Sequence, residues 1–368
     1  MSVELHQPAS ARSDFGARLR HWRLLRGLSQ AELGRRLGYD DSHISRVENT
    51  RRWPPAGMAE RIDELLETEG ELAELWPQVE RERRRLSQHS RSLAAGPGAD
   101  TLAQLLTTYR TAARAVGGHP LVDVLEHHTR LAARQQRTAP AAERARLGAL
   151  AARYAELAGW ARFDRLEYGR ALAWYDCGQE WALAADDLAV AALLLARQSA
   201  VHWAGGHSAA ALGAARGAAA HAARSGRAVA EARAALAQAR GHALAGDRAA
   251  TEAALERAAD RTAAAPSAEA GTLLLLTHGT CHRDLAVRTG RRAHARIAVD
   301  ALEQGLTHLP PEQQHYRSLI TARLAGALAW AGQPEAAATA LARVPAAPGR
   351  VAEERRQSER WLARHRHL

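Results

Sequence analysis

Residues 40 to 52 hold the most chemically pointed cluster in the chain: Asp41, Ser42, His43, Ser45 and Arg46, followed by Arg51-Arg52. Asp40 is placed to cap a helix starting at Asp41, and Ile44 and Val47 supply its buried pair. The remaining side chains, Asp41, Ser42, His43, Ser45 and Arg46, then fall on the solvent side. Short hydrogen-bonding groups beside one long bidentate donor suit the donor and acceptor pattern of base edges in a major groove. On this reading Ser42, His43 and Arg46 meet bases, and Asp41 serves the helix dipole. Arg51 and Arg52 clamp the phosphate backbone. His43, mostly uncharged at neutral pH, is a better base-edge partner than phosphate ligand. Gln30 opens the preceding helix, where an amide and free backbone N–H groups can hold a phosphate.

These groups need a rigid mount, and the flanking sequence supplies one. Ser29-Gln30-Ala31-Glu32 reads as a capping box. Ala31, Leu33 and Leu37 mark the buried face of a short helix that stops at Gly38. Glu48 is expected to pair with Arg35 or Arg36 inside the same module. The stretch SQAELGRRLGYDDSHISRVENTRRWP (29–54) resembles the helix-turn-helix of the XRE/Cro/C1 phage-repressor class. The matching features are the leucine-Ser29-Gln30 start with Ala31, the Leu37-Gly38 turn, Ile44-Ser45-Arg46 with Glu48-Asn49, and the Arg51-Arg52 pair. The likeness extends over about Ser13 to Leu75, with Phe15, Leu19, Trp22 and Arg23 as first helix and Ile62, Leu65 and Leu66 as fourth. It implies operator DNA as partner. One departure is Thr50, where the class often has glycine; if that backbone needs a positive φ, Asn49 is expected to carry it.

Charge agrees with the placement. Residues 11–57 hold ten arginines against five acids, whereas residues 60–74 hold seven acids against Arg61. The basic face is therefore confined to the helices expected to meet DNA. The formal net charge of the 368-residue chain is +10, mostly from residues beyond 91, so global charge does not locate the site. All basic residues other than histidine are arginine, which together with abundant alanine, glycine and proline indicates a high-GC bacterial genome. Two cysteines, Cys177 and Cys281, give no disulfide framework and fit a reducing cytoplasm. No apolar leader opens the sequence, and no apolar run is long enough for a membrane span.

Beyond a charged run at 80–85 and the linker-like SLAAGPGAD (92–100), the sequence reads as helix throughout. Turn signals at Arg162–Asp164, Gly205-Gly206, Gly246-Asp247, Gly290 and Gly332-Gln333 are spaced by close to 41, 41, 44 and 42 residues. Breaks halfway between are expected at Gly178, Ser225-Gly226, Pro266, Pro310-Pro311 and Pro345. The pattern, with GDRAATEAALERA (246–258) and GQPEAAATALARV (332–344), resembles divergent tetratricopeptide repeats, although longer than the ideal period of about 34. Related architectures use such repeats to bind a peptide or other signal, or to dimerise.

Eight of the seventeen aromatics lie between 154 and 203. A ligand groove built from Tyr168, Trp174, Tyr175, Trp181 and Trp203, with Asp176, Asp186 and Asp187 as polar anchors, is one reading; a large-residue core is the more frequent outcome of such helical stripes. His278, Cys281 and His282 lack a second ligand pair for zinc, and no nucleophile or phosphate-loop motif is present. No cofactor, no metal and no catalysis are expected.

The expectation is therefore an all-α chain: a tail at 1–12, a five-helix DNA-binding domain at 13–76, a charged helix and linker at 77–100, an α-α repeat superhelix at 101–345 and a capping helix at 346–368. Such a chain would be a cytoplasmic, nucleoid-associated transcriptional regulator acting as a homodimer on an operator, gated by a peptide or small-molecule effector. The alternative is a repeat-type interaction scaffold that its DNA-binding domain localises.

Overall fold

The computed structural model describes residues 10–95 and 97–365, with side chains throughout except at 85–95 and 365. Every regular element among the described residues is helical, and they fall into two units, 1–96 and 97–368.

The first unit contains α1 (Ala11–Leu25), α2 (Gln30–Leu37), α3 (Asp41–Glu48), α4 (Met58–Leu66) and α5 (Glu71–Ala95). Phe15 and Leu19 of α1, Leu33 and Leu37 of α2, Ile44 and Val47 of α3, and Met58, Ile62 and Leu66 of α4 close one core. Leu72 and Val79 complete it from α5. α1 reaches α3 closely because Gly16 has no Cβ, which would sit 2.7 Å from the Glu48 carbonyl oxygen. Asp63 of α4 holds the start of α5, accepting the backbone N–H groups of Leu72 (3.1 Å) and Ala73 (2.7 Å).

Three boundaries differ from the sequence reading. Ser10 caps α1, which begins at Ala11, so residues 10–12 belong to the fold and the rest of the expected tail lies outside the described residues. α5 runs unbroken across the expected border at 76/77, with Pro77 inside it. It continues to Ala95, and α6 (Ala99–Val116) starts three residues after Gly96, so the expected linker is helix at both ends.

The second unit continues through α7 (Val122–Thr138) into five helical hairpins. They pair α8 (Ala141–Asp164) with α9 (Tyr168–Ala184), α10 (Leu188–Ala204) with α11 (Ser208–Ser225), and α12 (Ala228–Ala245) with α13 (Arg248–Ala264). α14 (Ala268–Thr289) follows with α15 (Arg292–His308), then α16 (Gln314–Ala331) with α17 (Pro334–Ala342), and α18 (Arg350–His365) packs on α16. The first helices of successive hairpins lie side by side, which is the geometry of a stacked helical repeat. Gly178 is not a break; it lies inside α9, and the turn falls at Ala185–Asp187, where Asp186 takes φ 54°.

The array curls until its ends meet. α16 packs against α6, His315 Nε2 lies 2.8 Å from Asp164 Oδ1, and the Gly118 N–H donates to Asp164 Oδ2 at 3.1 Å. Arg114 of α6 reaches Glu269 of α14 at 2.9 Å, and the Trp203 indole of α10 donates to Asp284 of α14 at 2.7 Å. The repeat therefore encloses an interior rather than leaving an open concave face.

Candidate nucleic-acid interface

The turn between α2 and α3 is fixed by the local code expected of it. Ser29 Oγ accepts the Glu32 N–H at 3.1 Å while Glu32 returns a carboxylate to the Ser29 N–H at 2.8 Å. Gly38 takes φ 77°, which a side chain would resist, and Asp40 Oδ1 accepts the His43 N–H at 2.5 Å and the Ser42 hydroxyl at 2.6 Å. These bonds hold the Asp40 carboxyl below its usual range, first through Ser42 and then through the His43 backbone.

What α3 turns outward is narrower than the sequence suggested. Asp41 and Arg46 are exposed, Ser42 and Ser45 half-buried, and Arg51 and Arg52 exposed just beyond the helix. His43 is not among them: it is only 6% exposed and stacks on Tyr39 with ring centroids 4.4 Å apart. Burial, aided by Arg52, pulls its pKa below the ordinary histidine value. His43 lies four residues before Val47, so it shares that residue's inward face, and the same spacing was readable in the sequence. Ala31, expected in the core, is exposed.

Gln30 is also drawn inward. Its Nε2 donates to Glu48 Oε2 at 2.8 Å, leaving the backbone N–H groups of the α2 start rather than the side-chain amide to face an anion. Glu48 pairs with neither Arg35 nor Arg36. It is 7% exposed and takes a bidentate fork from Arg23, Nε to Oε1 at 2.6 Å and Nη2 to Oε2 at 3.1 Å. Arg23 spends a third donor on the Leu28 carbonyl at 2.7 Å. The network ties α1, the loop after it, α2 and α3 together, so the outward face of α3 is held by a charge pair as well as by the core. Arg35 and Arg36 remain exposed on α2.

Thr50, not Asn49, adopts the left-handed backbone, at φ 55°. Asn49 stays at φ −91° and its Nδ2 donates to the Ser45 carbonyl at 2.8 Å. The reversal at Thr50 returns the N–H groups of Arg51 (2.7 Å) and Arg52 (3.0 Å) to the Arg46 carbonyl. Both arginines are thereby fixed next to the end of α3.

Residues 14–76 match the family described as helix-turn-helix domain. The first unit carries a helix-turn-helix domain. No curated protein matches the chain. Among solved structures the chain is similar to the crystal structure of Bacillus thuringiensis PlcR in complex with the peptide PapR7 and DNA. The identity is 13% and the TM-score 0.40, covering 84% of this chain and 99% of that one.

The aromatic residues weighed as a groove or a core of the repeat are dispersed. Tyr175 is fully buried; Trp174 and Trp181 pack against core clusters, with the Trp174 indole donating to Glu126 Oε1 at 2.9 Å. Asp187 caps α10 and pairs with Arg153, Asp176 accepts from Gln198, and Asp186 is exposed in a turn. Tyr168 and Trp203 line one cavity, about 270 Å³, together with Arg283, Arg350 and Trp361. Cys177 is exposed and Cys281 buried. Among the described residues no group of three or more His, Cys, Asp or Glu side chains could hold a metal ion, and no helix is long and apolar enough to cross a membrane.

Proposed function

We propose that this chain is a sequence-specific transcriptional regulator that binds operator DNA as a homodimer, and whose helical-repeat unit receives a peptide or small-molecule signal. The observation that carries the DNA part is the outward face of α3: Arg46 with Asp41, Ser42 and Ser45, mounted on the buried Arg23–Glu48–Gln30 network and flanked by Arg51 and Arg52. Arg46 has the reach and fork geometry for a guanine edge, the serines can serve either donor or acceptor edges, and the two terminal arginines suit phosphates. Dimerisation is supported by size: one such module buries too little surface for specific affinity.

Selection of duplexes from a random pool by the full-length chain tests this. The enriched sequence should contain two related half-sites about one helical turn apart. An unenriched pool, or a single half-site bound with monomer stoichiometry, would overturn the reading.

A further inference from the structure

The interior enclosed by the repeat collects guanidinium groups from four different helices. Arg197 projects from α10, Arg240 from α12, Arg323 from α16 and Arg350 from the start of α18. Arg240 lies within electrostatic reach of Arg197 and Arg323, and Arg350 within reach of Arg323. Tyr316 sits among them, interacting with Arg197, Arg240 and Arg350.

The carboxylates there are already engaged. Glu156 accepts Arg197 at 2.7 Å and also neighbours Arg110 at 3.7 Å. Glu354 is shared by Arg323 (2.8 Å) and Arg283 (2.7 Å), and Asp164 is taken by His315. Arg240 and Arg350 have no hydrogen bond or ion pair to a described residue; Arg350 only stacks over Phe163, 4.1 Å from the ring centroid. Asp164 and Glu354 lie within electrostatic reach of Arg350, so Arg240 is the cation left without a carboxylate neighbour.

Unspent donors accompany that cation. Arg323 is 6% exposed, and its Nη2 has no partner; Arg240 Nε is buried without one. Tyr175 is wholly buried, its hydroxyl is unpartnered, and it lies within electrostatic reach of Arg197 and Arg350 as well as of the Arg197-paired Glu156. Leaving such groups unpaired inside a protein is costly, and like charges held together compound the cost. The Arg197 side chain keeps 36% of its surface accessible although protein surrounds it, so packed side chains do not fill the interior at this point. Burial nonetheless dominates the environment of these groups, drawing Arg240 down to about 10.

We propose that the interior of the repeat unit is an oxyanion site, in which Arg240, Arg323 and Arg350, with the Tyr175 hydroxyl, bind a small phosphate- or carboxylate-bearing ligand. Such a ligand would supply the missing negative charge and accept from the unspent donors. This deepens the reading of the repeat as a signal receiver by naming the chemistry of the signal.

The test is a titration of the full-length chain, without DNA, with inorganic phosphate and separately with succinate, against chloride at matched ionic strength. Heat of binding and melting temperature are read on the wild type, Arg240→Gln and Tyr175→Phe. The wild type should show saturable binding and a rise in melting temperature with at least one anion. A phosphate-only response assigns a phosphate ligand, a succinate-only response a carboxylate ligand.

Arg240→Gln should melt at or above the wild type in chloride, because it removes an uncompensated cation, and should bind the anion at least about tenfold more weakly. Tyr175→Phe should keep the chloride melting temperature and weaken binding several-fold. No response beyond chloride in the wild type would overturn the proposal, as would an undiminished response in both variants. Loss of stability in chloride for Arg240→Gln together with unaltered anion binding by Tyr175→Phe would also overturn it. Because no DNA is present, failure here leaves the operator reading standing, and failure of operator selection leaves this one standing.

Discussion

Thr50 and Glu48 show how individual residues hold α3, the helix proposed to face DNA. A β-branched residue in the left-handed region costs roughly 1–2 kcal/mol, part of which glycine would return at the expense of chain entropy. Thr50→Gly should therefore stabilise the first unit by about 0.5–1 kcal/mol in denaturant unfolding of the full chain; a destabilised variant would contradict the strain. Glu48→Ala leaves the Arg23 guanidinium, itself 6% exposed, without its carboxylate. Breaking a buried pair from one side costs about 3–5 kcal/mol, so the first unit should lose that much in the same measurement. A change below about 1 kcal/mol would mean that Arg23 finds water and that the network does little to hold α3. Spacing alone placed Ile44 and Val47 inward and pointed Glu48 to Arg35 or Arg36, the wrong partners. Arg23 lies twenty-five residues away and only packing brings it near.

At the scale of elements, helix starts and stops were largely legible because capping is written in contiguous residues: Ser29 with Glu32, Gly38, Asp40, Gly246 and Gly332 all act where local chemistry says they should. Gly178 misled because a glycine that lets helices approach looks the same in sequence as one that ends a helix. The histidines of α14 and α15 offer a test of packing. His282 is 3% exposed, with its Nδ1 3.2 Å from that of His294 and its ring 4.6 Å from the His278 ring. Burial, then His278 and His294, hold its pKa down to about 4; Arg248 acts in the same direction and Glu252 against it. Because folding makes this group harder to protonate, the unfolded chain binds more protons below about pH 6.5. Its contribution to stability is complete above that value and is lost as pH falls towards 4, by up to about 3 kcal/mol. The melting temperature of the repeat transition should fall across that interval, and less steeply in His282→Gln. Identical pH profiles for the two chains would contradict the assignment.

For the whole molecule, the division into residues 1–96 and 97–368 separates a unit that carries a helix-turn-helix domain from one that encloses a charged interior. The period of the turn signals announced the repeat. Its closure was not legible, because Asp164 and His315 lie 151 residues apart and α6 and α16 are still further apart along the chain, and no local pattern encodes that. The interior cations escaped notice for the same reason: each arginine reads as an ordinary solvated residue until the ring brings four of them together. The central claim concerns the first unit, that Arg46 on α3 reads sequence. Its most direct measurement is base-by-base preference, determined by binding of wild type and Arg46→Ala to every single substitution of the selected operator. The account predicts a loss of roughly 1–3 kcal/mol on the preferred operator and a relaxed preference at one base pair in each half-site, with the other positions unaltered. Equal affinity and an unchanged preference at every position would contradict it.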